Sequence, residues 1–208
     1  MTVPGDLGYD LFAGIVTLFV ILDPIGVIPF FQSLTRDADQ AQRRAVAKRS
    51  VLISTALLLI FAYLGQAILT LLSINIYDFE IAGGALLLVF AIRDALSNEP
   101  LGASESLAVA QKGTFERIAV IPLATPLLAG PGSLTTSILL ANSDYGYLIA
   151  GVAILVDSSL AFLALRSSDT LNRFVGPSGL MIIGKVLDIL MTAIAVSYLV
   201  RGIVGVGI

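Results

Sequence analysis

The amino-acid sequence predicts an all-α polytopic membrane protein: six transmembrane helices forming two inverted three-helix repeats, with helices one and four broken at midplane. Three observations predict it. Of the 208 residues, 57% are hydrophobic and only 13% charged, whereas an ordinary soluble domain carries about 25% charged residues. The apolar residues fall in six stretches of near-spanning length. The first and fourth stretches are interrupted by proline and glycine at corresponding places. A core of this size cannot hide so much apolar side chain from water, so lipid is part of the solvent. One transmembrane domain over residues 1–208 is expected, with repeats at about 9–97 and 117–203.

A bilayer core of ~30 Å needs roughly 20 helical residues. The candidate spans are about Tyr9–Phe31, Val51–Ser73, Tyr77–Leu96, Ile118–Leu140, Tyr145–Leu165 and Leu180–Val200. The second and fourth are uncharged throughout. The third is the weakest, because its uncharged part, Ile81–Ile92, covers only about 18 Å at 1.5 Å per residue. It crosses only if Glu80 and Arg93 sit at, or snorkel to, opposite interfaces. The start does not read as a cleaved signal peptide: Asp6 and Asp10 precede any basic residue, and the first is Arg36.

Basic residues orient the spans. The first loop holds Arg36, Arg43, Arg44, Lys48 and Arg49, the third Arg93, Lys112 and Arg117, and the fifth Arg166 and Arg173; the second and fourth hold none. The positive-inside rule then places the odd loops in the cytoplasm and both termini outside a multi-pass plasma-membrane protein. Tyr9, Tyr77, Tyr145, Tyr147 and Tyr198 fall at predicted outer ends, where the ring is buried and the hydroxyl wet, and only Tyr63 lies mid-helix. The chain has no cysteine and no histidine, which excludes disulfides, thiolate chemistry and His-ligated metal sites. No basic run with interleaved aromatics suggests a nucleic-acid partner.

The breaks carry the functional reading. Helix one contains Asp23-Pro24-Ile25-Gly26, and helix four contains Pro122, Pro126 and then Gly130-Pro131-Gly132. Proline removes a backbone donor yet suits the first position of a new helix. Asp23 is placed to N-cap a half-helix starting at Pro24, and Gly130 to precede one starting at Pro131. With the deduced orientation both half-helix N-termini meet near the midplane. The N–H groups of Ile25, Gly26 and Val27, and of Gly132, Ser133 and Leu134, then point into one space, with Ser133, Thr135 and Thr136 adding hydroxyls. Such termini attract an anion such as a carboxylate. Interrupted segments at matching places in two halves are the sequence mark of a transporter site. The bland alternative is that the prolines only kink helices for packing. The Gly83-Gly84-Ala85 patch reads as a close helix contact.

Leu22-Asp23-Pro24-Ile25-Gly26-Val27-Ile28-Pro29, Ile121 through Gly132, Ala193-Ile194-Ala195-Val196 and Ile81-Ala82-Gly83-Gly84 together resemble the MarC family of membrane proteins, essentially end to end. The resemblance implies a six-helix fold and transport of small neutral amino acids such as glycine and alanine. The chain departs from the family pattern twice. Asp23 stands where the family usually has Asn, and Lys185 is followed three later by Asp188 rather than Gly. Each departure adds a carboxylate.

Asp23, Asp157, Lys185 and Asp188 lie too deep for ordinary charges, and an intramembrane charge faces a cavity or a partner. Lys185 and Asp188 share a helix face and suit an ion pair. Asp157 suits either an ion or proton role or a hydrogen bond to a backbone break, and a place beside helix six is compatible with its position. Asp23 suits capping, binding a substrate ammonium, or neutralisation by H⁺ or Na⁺. The expected function is a secondary transporter of small neutral amino acids, with proton or sodium coupling through Asp23 or Asp157. Its two triple-helix halves would rock, its partners are the substrate and the bilayer, and it needs no cofactor or metal. A homo-oligomer is compatible with the sequence. The alternatives are an exporter of another small metabolite or drug and, in another class, an intramembrane enzyme or a non-transporting scaffold. No Ser/His pair or metal cluster supports the enzyme.

Overall fold

The computed structural model describes residues 7–96, 118–143 and 145–207. Lys112 and Arg117, part of the orientation argument, lie outside the described residues. Among the described residues all regular structure is helical. The helices are α1 (Leu7–Leu22), α2 (Val27–Leu34), α3 (Gln40–Leu71), α4 (Ile76–Leu96), the wide-turned α5 (Ala119–Leu128), α6 (Pro131–Ala141), α7 (Gly146–Arg166) and α8 (Ser168–Val206). The order bent pair, long helix, long helix thus occurs twice, the last helix being itself interrupted at Gly176 (φ 76°, ψ 161°) before Pro177.

Both breaks bend the chain, by 44° between α1 and α2 and by 57° between α5 and α6. The second follows the predicted chemistry. Gly130 is extended (φ −83°, ψ 173°) and Pro131 opens α6, the first-turn position where a missing N–H costs nothing. The segment before it corrects the sequence reading. An α-helical first half was expected for helix four, but Ile121 and Thr125 are extended and the Ile121–Pro122 and Thr125–Pro126 bonds are cis. A residue before proline is disfavoured in the helical region, and each proline removes a donor.

Helix α3 starts earlier than its apolar stretch. Asp39 Oδ1 accepts from the Gln42 N–H at 2.8 Å, and Gln42 Oε1 accepts from the Asp39 N–H at 2.9 Å, a reciprocal cap that satisfies two orphan donors. Arg43, Arg44, Lys48 and Arg49, expected in a loop, therefore form the first turns of α3. At its other end Tyr63 is not isolated mid-helix. Its ring stacks on Tyr147 at 5.6 Å and its hydroxyl donates to the Tyr147 carbonyl at 3.1 Å.

Three helices, α3, α7 and α8, are each long and apolar enough to cross a membrane, and counting each bent pair as one span raises the number to five. Helix α4 has 21 residues but carries Asp78, Glu80, Arg93 and Asp94. Glu80 does not stand at an open interface. It is buried and pairs with Arg201 of α8 at 3.2 Å. Leu52, Val89, Leu155 and Ile189 are outward-facing apolar side chains, the surface lipid would cover.

Two cross-links fix relative sidedness. Arg43, by the first connection, binds both carboxylate oxygens of Asp169, by the fifth, at 2.9 and 3.0 Å. Tyr63 meets Tyr147 towards the opposite ends of α3 and α7. Helices α4 and α8 pack most extensively, α3 lies on α5, α6 and α7, and α1 on α6, α7 and α8. The predicted glycine contact is tight. A Cβ on Gly84 would stand 3.0 Å from the Ala195 carbonyl and the Leu199 nitrogen, and one on Gly83 would collide with Thr135. One apolar cluster joins α1, α2, α3, α5 and α7, and a second joins Val20 and Ile21 of α1 to Leu87, Met191 and Tyr198.

Candidate functional site

Between those two clusters lies a cavity of about 60 Å³ that both breaks line. Asp23, Gly26 and Val27 enter from the first break, and Gly130, Pro131, Gly132 and Ser133 from the second. A water needs roughly 10–15 Å³ by this kind of measure, so the space holds a ligand of only a few heavy atoms.

The first break is built around Asp23. Its φ of 42° is left-handed, a conformation that costs most L-residues roughly 1–2 kcal/mol and that Asp and Asn tolerate best. Its Oδ1 accepts from the Gly26 N–H at 3.0 Å, and its carbonyl accepts from the Val27 N–H at 3.2 Å. The capping role is therefore present, although the regular helix begins at Val27 rather than Pro24. The expectation of free N–H groups here is corrected for Gly26 and Val27, because Asp23 already occupies both donors. Pro24 and Ile25 shape the turn but do not line the cavity.

The second break is the more open terminus. The Leu134 N–H bonds the Gly130 carbonyl at 3.0 Å, so α6 is wound from there on. The preceding N–H groups, of Gly132 and Ser133, belong to the turn that a helix leaves without internal acceptors. Ser133 lines the cavity, while its hydroxyl donates to the Leu128 carbonyl at 2.9 Å. The other two hydroxyls point elsewhere. Thr136 shares a 2.9 Å hydrogen bond with the Tyr198 hydroxyl, and Thr135 packs at Gly83. Tyr198, expected in the headgroup region, is instead buried beneath Arg201.

Sequence reasoning missed the third wall. Leu87, Phe90 and Asp94 of α4 line the cavity with Met191 of α8. Their spacing puts the three α4 residues on one helix face, a signal readable beside Gly83-Gly84. Helix α8 approaches the first break at Gly184, where a Cβ would make an ordinary contact of 3.6 Å with the Gly26 Cα. Asp188, one turn on, carries its carboxylate to the same region. Lys185 Nζ lies 3.9 Å from Asp188 Oδ2 and donates to the Asp94 carbonyl, so the expected pair forms and also ties α8 to α4.

Asp157 stands apart. It is completely buried, and neither carboxylate oxygen has a hydrogen-bond partner among the described residues. The expected bond to a backbone break is not made, and α7 packs mainly on α1, α3 and α6 rather than on the last helix. An unpaired buried charge is strongly disfavoured. Asp157→Leu, of similar size and without polar atoms, is expected to raise stability by about 1–3 kcal/mol, read as a higher melting temperature in detergent. A lower melting temperature would show that the carboxylate itself is needed.

Fold and cavity define a helical integral membrane protein with two interrupted helices around a small internal site. The chain belongs to the MarC family of integral membrane proteins, whose model matches residues 9–206. It is 36% identical over 204 residues to a UPF0056 membrane protein of Methanocaldococcus jannaschii, covering 96% of this chain and 98% of that one. A UPF0056 membrane protein of Archaeoglobus fulgidus is 32% identical over 207 residues, covering 98% and 96% of the two chains. The UPF0056 inner membrane protein YhgN of Escherichia coli K12 is 29% identical over 197 residues, covering 93% and 96%. No solved structure matches the chain.

Proposed function

We propose that this protein is a secondary transporter of small neutral amino acids of glycine or alanine size, and not an enzyme. The observation that carries the reading is the small cavity shared by both helix breaks. A zwitterion fits its two poles. Its carboxylate docks on the open N-terminus of α6 at Gly132 and Ser133, and its ammonium faces Asp23 and Asp94. A site for a drug-sized ligand runs to about 300–1,000 Å³, so the cavity size favours a small amino acid over a drug as cargo.

The six-span, inverted-repeat architecture belongs to the same proposal. It counts α1–α2, α3, α4, α5–α6, α7 and α8 as spans, with both termini outside the cell membrane. Its support is that equivalent helices pack together, α3 on α7 and α4 on α8, and that the α1–α6 contact has its counterpart between α5 and α2, as elements related by a two-fold axis do. The halves interlock through these contacts. The moving unit is therefore better drawn as the α4–α8 pair against the remaining helices than as one triple-helix half against the other.

Uptake of radiolabelled glycine and alanine into proteoliposomes under imposed proton or sodium gradients tests the proposal. Gradient-dependent, saturable flux is expected. Absence of flux for every small amino acid, with the protein correctly folded, would sink it and return the chain to the exporter or scaffold readings.

A further inference from the structure

Three carboxylates that are far apart in sequence converge beside the cavity. Asp23 of the first break, Asp94 near the end of α4 and Asp188 of α8 each offer an oxygen, and these oxygens all lie within 4.8 Å of one another. Asp23 and Asp188 are buried, at 7% and 1% exposure. Lys185 offsets part of the negative charge: its Nζ is 3.9 Å from Asp188 Oδ2 and donates to the Asp94 main-chain carbonyl. It leaves Asp188 Oδ1 unserved, for that atom is buried without any hydrogen-bond partner among the described residues.

Like charges this close repel, and a buried acceptor without a donor costs free energy. A bound cation removes both penalties at once. We infer that Asp23, Asp94 and Asp188 form a binding site for a hard, oxygen-ligated cation.

The chemistry of the donors sets the class. All three are carboxylate oxygens, which suit Na⁺, Mg²⁺, Ca²⁺ or Mn²⁺ rather than metals that select nitrogen or sulfur. Three oxygens each about 2.3–2.6 Å from one cation stand at most about 4.5 Å apart in a symmetric triangle, so a cluster whose oxygens lie within 4.8 Å of one another closes on an ion with shifts of a few tenths of an ångström at most. The site borders the amino-acid cavity and shares two of its carboxylates. Asp23 and Asp94 line the cavity, but Asp188 does not. Asp23 and Asp94 thus form a shared wall through which cation and substrate would sense each other. The inference deepens the transport reading without depending on it, since binding is measured without flux.

The test is thermal unfolding of the purified full-length protein in detergent. It is titrated separately with NaCl, MgCl₂, CaCl₂ and MnCl₂ against choline chloride at matched ionic strength. A saturable rise of roughly 5–10 °C at a hundredfold excess over Kd is expected for at least one cation, and the responding salt identifies the occupant. Asp188→Asn and Asp94→Asn should abolish that rise. In choline chloride the same variants should melt above the wild type, because they remove unneutralised charge; a carboxylate needed only for packing would do the opposite. Should Asp188→Asn fail to fold, the half-buried Asp94 variant carries the test. No response to any of the four salts would overturn the site, as would a response that persists in the variants. A rise produced by glycine alone in choline chloride, and lost in Asp188→Asn, would assign the cluster to the substrate ammonium and likewise overturn it. Glycine flux with no cation response leaves the transporter standing and removes the site; a cation response without flux does the reverse.

Discussion

Gly132→Val is expected to abolish uptake of glycine and alanine by the reconstituted protein, by roughly 100-fold or more. Gly132 is the second residue of α6 and lies at the cavity wall. A Cβ there would stand 2.4 Å from Leu87 Cδ1 and 3.1 Å from Ile21 Cγ2. Leu87 meets it with the far end of a flexible side chain, so the fold can yield and the overpacking should cost about 1–3 kcal/mol. The cavity cannot yield in the same way, because at about 60 Å³ it has no spare volume. Gly132→Ala supplies the graded case. One methyl group in a pocket of this kind is worth roughly 10-fold or more in discrimination, so alanine uptake should fall further than glycine uptake. Competition between the two labelled substrates in proteoliposomes measures the ratio. A folded Gly132→Val protein with normal flux would place the substrate elsewhere.

How much of this was legible in the sequence depends on whether the signal was local. Proline and glycine act through their own backbone, so both breaks and the start of α6 at Pro131 could be read directly. The capping role of Asp23 could be read as well, since its partner is three residues away. What the breaks face depends on packing. Thr135 and Thr136 look identical to Ser133 in sequence, yet Gly83 and Tyr198 claim the two threonines. Asp94 escaped notice because it follows Arg93 at the end of a charged span, where a carboxylate reads as solvated. Only the approach of α8 at Gly184 and the fold of the first break make it part of a cluster. Glu80 misled for the same reason, as its partner Arg201 lies 121 positions on (201 − 80). The cis bonds before Pro122 and Pro126 had no local signal to separate them from ordinary helix kinks.

Gly26→Ala should still fold, at a cost of about 0.5–2 kcal/mol for the broken cap, and yet lose at least roughly 10-fold in uptake. The reason lies in the division of labour within the first break. Gly26 itself has helical dihedrals, φ −64° and ψ −27°, which alanine adopts more readily than glycine. Nothing in the backbone therefore demands glycine there. The demand comes from Asp23: a Cβ on residue 26 would lie 1.9 Å from Asp23 Oδ2 and 2.7 Å from its Cγ. Alanine must drive the carboxylate out of its seat, breaking the hydrogen bond to the residue 26 N–H and turning the charge away from the cavity. A double-mutant cycle isolates this effect. Asp23→Gly suits the left-handed φ of 42° and removes the carboxylate, so it should transport as poorly as Gly26→Ala. Adding Gly26→Ala to Asp23→Gly should then cost nothing more, because the group it displaces is already gone. Losses that simply add would mean that residue 26 acts on the site independently. Unchanged uptake in Gly26→Ala, with a normal melting temperature, would take Asp23 out of the substrate site and leave it as the cap of a bent helix.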